Sequence, residues 1–269
     1  MDESNSGSLL TFGGHLEVLR RLLFRILGVA AAIAVAVFCC KEWTFSMLLA
    51  PSECDFVTYR WVESALQWFV PGFRFEPFSV DLIATDLSSQ FMTHITTSIY
   101  LGLLGASPYI LFELFRFVSP ALYENERRYS VRIAVAIYVL FIVGVLMTYY
   151  VLFPISFRFL GTYSVAEKVH STITLDSYIS TFTTLTLLMG VVFQLPVIAF
   201  FLAKMGLVTA PMLARYRKHS FLIIMLVAAI ITPPDLMTLV LVTVPLYMLY
   251  EVSIWIVGFV KTASSDSPK

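Results

Sequence analysis

The sequence predicts an all-α protein that crosses a membrane six times as a single domain. Three observations carry that prediction. Of 269 residues, 58% are apolar or aromatic and only 13% charged, about half the charge of an ordinary soluble domain, which argues against a soluble globular enzyme and excludes a disordered chain. The apolar residues fall in six runs, and a helix crossing a hydrocarbon core of about 30 Å needs about 20 such residues. Eighteen basic residues offset eighteen acidic ones, so the basic excess that nucleic-acid binding uses is missing.

Each run is bounded by proline or by charge. The first extends from about Leu22 to Cys40 with Arg25 near its start, and the second from about Phe91 to Phe115 with Pro108 inside it. The third covers about Ile133 to Ile155 and is expected to end at Pro154; the fourth covers about Phe182 to Met205 with Pro196 in its later half. The last two, about Phe221 to Ile231 and Leu236 to Val260, are split by Thr232-Pro233-Pro234-Asp235, which must turn because each proline removes a backbone donor and restricts the residue before it. They form a helical hairpin, and the fifth run is short enough to require a locally thin bilayer.

Lys and Arg are retained on the cytoplasmic side, so their distribution orients the spans. One side collects Arg20, Arg21, Arg25, Arg116, Arg127, Arg128, Arg132, Lys204, Arg215, Arg217, Lys218, Lys261 and Lys269; the other has Lys41, Arg60, Arg74, Arg158 and Lys168. Both termini are therefore expected in the cytoplasm, as polar tails of about residues 1–18 and 262–269. The first residues lack the basic region of a cleavable signal peptide, so the first span is expected to be kept. The loop from Lys41 to Gln90 interleaves Trp61, Trp68, Phe69, Phe73 and Phe75 with acids, a composition suited to a cap lying on the interface. Cys39, Cys40 and Cys54 have no metal-ligand spacing and read as packing thiols. No internal repeat divides the chain.

Enzyme signatures are lacking: there is no phosphate-cradling glycine loop, no His-Glu-x-x-His and no Gly-x-Ser-x-Gly. His15, His94, His170 and His219 are scattered, and no pair of mid-span aspartates exists, so neither a catalytic site, a metal nor a cofactor is expected. Polar residues inside spans are costly and invite a function. Gln194, two residues before Pro196, suits either a helix-to-helix hydrogen bond or a partner site. Glu251 lies near the cytoplasmic end of the last span, where snorkelling and function are equally good accounts, and Asp235 lies in a turn. In Glu124-Asn125-Glu126-Arg127-Arg128, a solvated charge run competes with a carboxylate presented to a basic ligand. The second reading selects arginine, whose guanidinium a carboxylate accepts at two points.

The order His15-Leu16-x-x-Leu19-Arg20-x-Leu22, Ile83-Ala84-Thr85-Asp86, Pro108, Phe117-x-x-Pro120-Ala121-Leu122-Tyr123-x-x-Glu126-Arg127, Gly144, Tyr149, Phe153-Pro154, Tyr178, Gly190, Phe193, Pro196, Met205-Gly206, Thr232-Pro233-Pro234-Asp235 and Pro245-x-Tyr247-x-Leu249-x-Glu251 resembles the TatC family. Members are receptor subunits of the twin-arginine, Sec-independent protein translocase. The resemblance runs from His15 to about Glu251. It implies a cupped six-helix fold in the bacterial plasma (inner) membrane, with both termini cytoplasmic and without enzymatic activity. Twin-arginine signal peptides of folded precursors would be bound, and export would use TatA-type or TatB-type single-span partners and the proton-motive force, with self-association in a receptor complex.

Residue by residue, the family's signal-contacting carboxylate corresponds to Glu126, and Arg20 and Phe117 belong to the same motifs. Three positions depart from the pattern. The family's His-Leu-x-Glu-Leu-Arg has Val18 at the acid position, with Glu17 one residue earlier and about 100° around the helix. Gln194 stands where an acid is common and cannot titrate. Glu113 replaces a common Gln and adds a compensating acid on the signal side. The runner-up from another class is a small-solute secondary transporter, whose discontinuous helices Pro108, Pro196 and Pro233-Pro234 would supply; no repeat and no charged intramembrane pair supports it. A scaffold without recognition activity is the third.

Overall fold

An apolar run in lipid finds no partner for its backbone, so it must close its own hydrogen bonds and becomes helical. Our computed structural model describes residues 12–70, 72, 78, 80–118, 127–164, 166 and 172–260. Along the chain come α1 (Phe12–Cys39), α2 (Lys41–Leu49), a 3-10 turn (Ala50–Ser52), α3 (Val57–Phe69), β1 (Leu82–Ile83), α4 (Ser89–Gly105) and α5 (Ser107–Val118). There follow α6 (Arg127–Met147), a π-helical turn (Thr148–Leu152), α7 (Phe153–Thr162), β2 (Ile173–Thr174), α8 (Leu175–Val192), α9 (Leu195–Lys204), α10 (Ala210–Arg215), α11 (Arg217–Ile231) and α12 (Leu236–Phe259).

Among the described residues four helical stretches are long and apolar enough to cross a membrane: Glu17–Cys39, Ile133–Thr162, Leu175–Lys204 and Leu236–Phe259. A fifth arises if α4 and α5, bent by 48° at their junction, count as one. The expected second span is thus broken, because Pro108 has no N–H and excludes the preceding turn. The expected fifth span lies in α11, whose 15 residues extend about 22 Å, short of the hydrocarbon core.

Helix α1 begins ahead of the expected Leu22, since hydropathy marks only the lipid-soluble part of a helix. The third span does not end at Pro154 but continues to Thr162; the π turn just before the proline lets the backbone pass. The all-helical expectation is modified by one small feature, a parallel pairing of Leu82 with Ile173 and of Ile83 with Thr174. Cys39, Cys40 and Cys54 are exposed, not packed.

Close helix contacts depend on glycine. A Cβ on Gly102 of α4 would lie 2.6 Å from the Ala34 Cβ and 2.8 Å from the Ala30 carbonyl oxygen of α1. Between α6 and α8 the fit is reciprocal: Gly144 receives Phe193, and Gly190 receives the Phe141 ring. Small residues at such crossings replace the hydrophobic drive that is absent in lipid.

The end of the bundle carrying α2 and α3, the cap end, is held by hydroxyls on proline-freed carbonyls. Pro51 cannot bond the Met47 carbonyl, and Tyr149 of the π turn donates its hydroxyl there at 2.8 Å. Pro154 cannot bond the Tyr150 carbonyl, and Thr58 of α3 donates to it instead. Tyr178 donates to the Leu48 carbonyl at 2.8 Å, while the Tyr59 hydroxyl sits 2.8 Å from the Pro51 carbonyl and 3.1 Å from that of Pro154. Around these bonds pack Leu48, Phe56, Phe153, Phe157, Ile179 and Phe182, with Phe153, Phe157, Tyr178 and Phe182 meeting edge to face at 4.9–5.0 Å.

Candidate functional site

Basic side chains predominate at the opposite end, here the tail end, where α1 begins and α5, α9 and α12 finish. On α1, Glu17, Arg21 and Arg25 are spaced by four and share one stripe. Glu17 accepts from Arg21 at 2.7 Å, both exposed, and Arg20 is exposed beside them. Arg25 leads to α5, where its charge and that of Arg116 act on Tyr109. Tyr109 and Glu113 lie one turn apart on the same stripe of α5, and Glu113 is buried at 8% exposure. The fold thus assembles Arg25, Tyr109, Glu113 and Arg116 where α1 meets α5.

Of these, only Glu113 was singled out from sequence. The spacing of Tyr109 to Glu113 was visible; the approach of Arg25 was not, because it depends on the crossing of two helices. The Phe117 side chain and all of Glu126 lie outside the described residues.

The remaining predicted residues fall elsewhere. Arg217 grips Glu251 at two points, Nε to Oε1 and Nη2 to Oε2, each 2.8 Å, and Tyr247 donates to Oε1 at 3.1 Å. This fork ties the start of α11 to the end of α12, and Tyr250 adds a bond to the Leu213 carbonyl of α10 at 2.7 Å. Sequence reading found the acid but not its cation, which lies 34 residues earlier. Asp235 is the N-cap of α12: Oδ1 accepts from the Thr238 N–H at 2.6 Å, which satisfies an otherwise orphaned helix donor.

Gln194 stands at the break between α8 and α9, where Pro196 begins the second segment. Its amide donates to the Ile137 carbonyl of α6 at 3.1 Å, and its Oε1 is buried with no partner among the described residues. It lines a groove of about 320 Å³ with Phe115, Ile137, Val197 and Phe201. Helix α9 closes in a Schellman turn, with Gly206 at φ 74° and the Leu207 N–H on the Leu202 carbonyl at 2.9 Å. Among the described residues no group of His, Cys, Asp and Glu is placed to hold a metal; His94 stacks on Phe38 at 4.2 Å.

Fold and polar groups together define a class: a multi-spanning helical membrane protein with an aromatic cap at one end and a basic face at the other. Residues 14–245 match the family model of the Sec-independent protein translocase protein (TatC), and the chain belongs to that family. It is 32% identical over 260 residues to the Sec-independent protein translocase protein TatC of Blattabacterium sp. subsp. Periplaneta americana (strain BPLAN), covering 95% of this chain and 98% of that one. It is 37% identical over 201 residues to TatCy of Bacillus subtilis (strain 168), covering 70% and 79%. A crystal structure of the twin-arginine translocase receptor TatC superposes with a TM-score of 0.70 at 29% identity, over 90% of this chain and 97% of that chain. The protein is thus a receptor subunit of the twin-arginine translocase, a multi-pass protein of the bacterial membrane and not an enzyme.

Proposed function

We propose that the tail end faces the cytoplasm and docks the twin-arginine signal peptides of folded precursors, with Glu126 as the carboxylate that receives the arginine pair. The observation that carries this is the family match over residues 14–245, which includes Glu126; of the acids on the described face, Glu17 is paired with Arg21 and Glu113 is buried. Arg20, Glu17, Phe117 and Glu113 border the docking face, and Glu113 supplies negative potential that Val18 does not. The excess of basic residues on this side supports the orientation.

The chain forms one domain of six spans, α11 being the short one, in a bilayer thinned around it. TatA-type or TatB-type single-span partners join it, Gln194 offering its buried amide oxygen in the groove to a polar group on such a helix. Receptor copies self-associate, and the proton-motive force drives export.

The deciding measurement is binding of a twin-arginine signal, and of its twin-lysine variant, to membranes carrying each variant. Loss of one partner of a charged hydrogen bond costs about 2 to 5 kcal/mol when desolvated and under about 1 in water. Glu126→Ala is expected between these limits, weakening binding at least roughly tenfold, about 1.4 kcal/mol, and abolishing the preference for arginine. Glu126→Gln recovers little, because the amide has lost the charge. An unchanged preference in Glu126→Ala would shift recognition to Glu17 or Glu113.

A further inference from the structure

Helix α3 carries three different stripes. At roughly 100° per residue, Thr58, Tyr59, Val62 and Leu66 share the stripe packed on α7 and the π turn. Arg60, Glu63 and Gln67 form a polar stripe, with Arg60 paired to Asp55 at 3.7 Å. The third stripe is apolar yet exposed: Val57, Trp61, Ala65 and Trp68, with Trp61 at 60% and Trp68 at 86% exposure. A helix alongside a protein wall needs only two stripes in water. Three stripes about a third of a turn apart fit a helix at a corner between protein, water and a third, apolar phase.

The depth of Trp61 identifies that phase. Its ring lies 6.3 Å from that of Tyr150, and Tyr150 lies on the spanning stretch that begins at Ile133. Seventeen residues of helix at about 1.5 Å each place Tyr150 about 26 Å from that start, close to the far edge of a hydrocarbon core of about 30 Å. Trp43, just beyond the end of α1, is likewise exposed. Three of the four tryptophans in the chain therefore sit at the cap end, and tryptophan favours the headgroup level, where its ring is in lipid and its N–H in water.

We propose that α3 lies in the membrane interface, its Val57-Trp61-Ala65-Trp68 stripe sunk in the lipid headgroup layer. It thereby anchors the cap and fixes how deep and at what tilt the bundle sits. The occupant is lipid and not a partner protein, because the stripe adjoins the spanning helix at interfacial depth and its polar neighbour stripe faces away.

The test is fluorescence of the full chain in phosphatidylcholine vesicles, with Trp43→Phe, Trp68→Phe and Trp255→Phe leaving Trp61 as the reporter. Lipids brominated near the headgroup end of the acyl chain should remove most of the Trp61 emission, several-fold more than aqueous acrylamide removes. Should the triple variant fail to fold, Trp61→Phe alone in the otherwise native chain should reduce the bromolipid-quenchable emission. Strong acrylamide quenching without bromolipid quenching would put the stripe in water and overturn the proposal. Insensitivity to both would mean that a second copy of the chain covers it, which overturns it equally.

Discussion

The two ends of the bundle join their helices by different chemistry. At the cap end Tyr59, Tyr149, Tyr178 and Thr58 donate to carbonyls that prolines or a helix terminus leave unbonded, inside an aromatic cluster. At the tail end the joints between helices are the Arg217–Glu251 fork and the Tyr250 bond to the Leu213 carbonyl, while the Arg21–Glu17 pair lies along α1 itself; both ion pairs are partly or largely solvent-exposed. A buried neutral bond has no water to replace it, so breaking it is costly and the cap end is rigid. An exposed ion pair exchanges readily with water or with a ligand of like charge, which suits the docking role proposed for this face. The rigid frame and the proposed docking face thus lie at opposite ends of the bundle.

Three experiments press on this contrast. The largest effect is expected from Tyr178→Phe, which strands the Leu48 carbonyl inside the cap and costs about 1 to 3 kcal/mol. Denaturant unfolding in detergent should register the loss, while signal binding to the folded fraction stays unchanged. A parallel fall in signal affinity would mean that the two ends are coupled.

The second is pH. Burial pushes the Tyr59 phenol above its ordinary 10.0, and the Arg158 guanidinium opposes this only in part. With a folded pKa raised above the unfolded one, the stabilisation is complete below about pH 10 and is lost as pH rises beyond that value toward the folded pKa. Unfolding followed from about pH 9 to about pH 12 should therefore show alkaline loosening of the cap, and Tyr59→Phe should weaken that dependence. A wild-type profile flat across this window would contradict the buried, hydroxyl-bonded phenol.

The smallest effect is assigned to the tail end. With side chains 48% and 35% exposed, the Arg217–Glu251 pair should show a coupling under about 1 kcal/mol in a double-mutant cycle of Arg217→Ala and Glu251→Ala, weaker still at high salt. A coupling as large as the cap-end loss would erase the distinction between the ends.

Much of this architecture was legible in the residues. Hydropathy located four spanning stretches and, if the bent α4–α5 pair is one span, a fifth, and Pro108, Pro196 and Pro233-Pro234 marked where helices bend or turn, because a missing N–H acts on the four residues before it. Asp235 before an apolar run was readable as a turn residue, and its capping bond spans only three positions. Local rules reached no further. The cation for Glu251 and the Arg25 beside Tyr109 and Glu113 lie on other helices, so no window along the chain contains both partners.

The residues alone marked the longest apolar helices, because transfer into lipid is a sum over about 20 consecutive side chains and needs no knowledge of neighbours. They also determined, through the prolines, which carbonyls would lose their helical donors. What meets those carbonyls was settled by the tertiary structure. Thr58 reaches Tyr150 across 92 residues, Tyr149 reaches Met47 across 102 and Tyr178 reaches Leu48 across 130. It also decided that Gln194 bonds α6 and that the third stripe of α3 remains exposed. The physical reason is that a hydrogen bond is satisfied within about 3 Å in space, and which groups come that close is set by helix crossings such as Gly102 on Ala34, where packing of the whole bundle fixes the geometry.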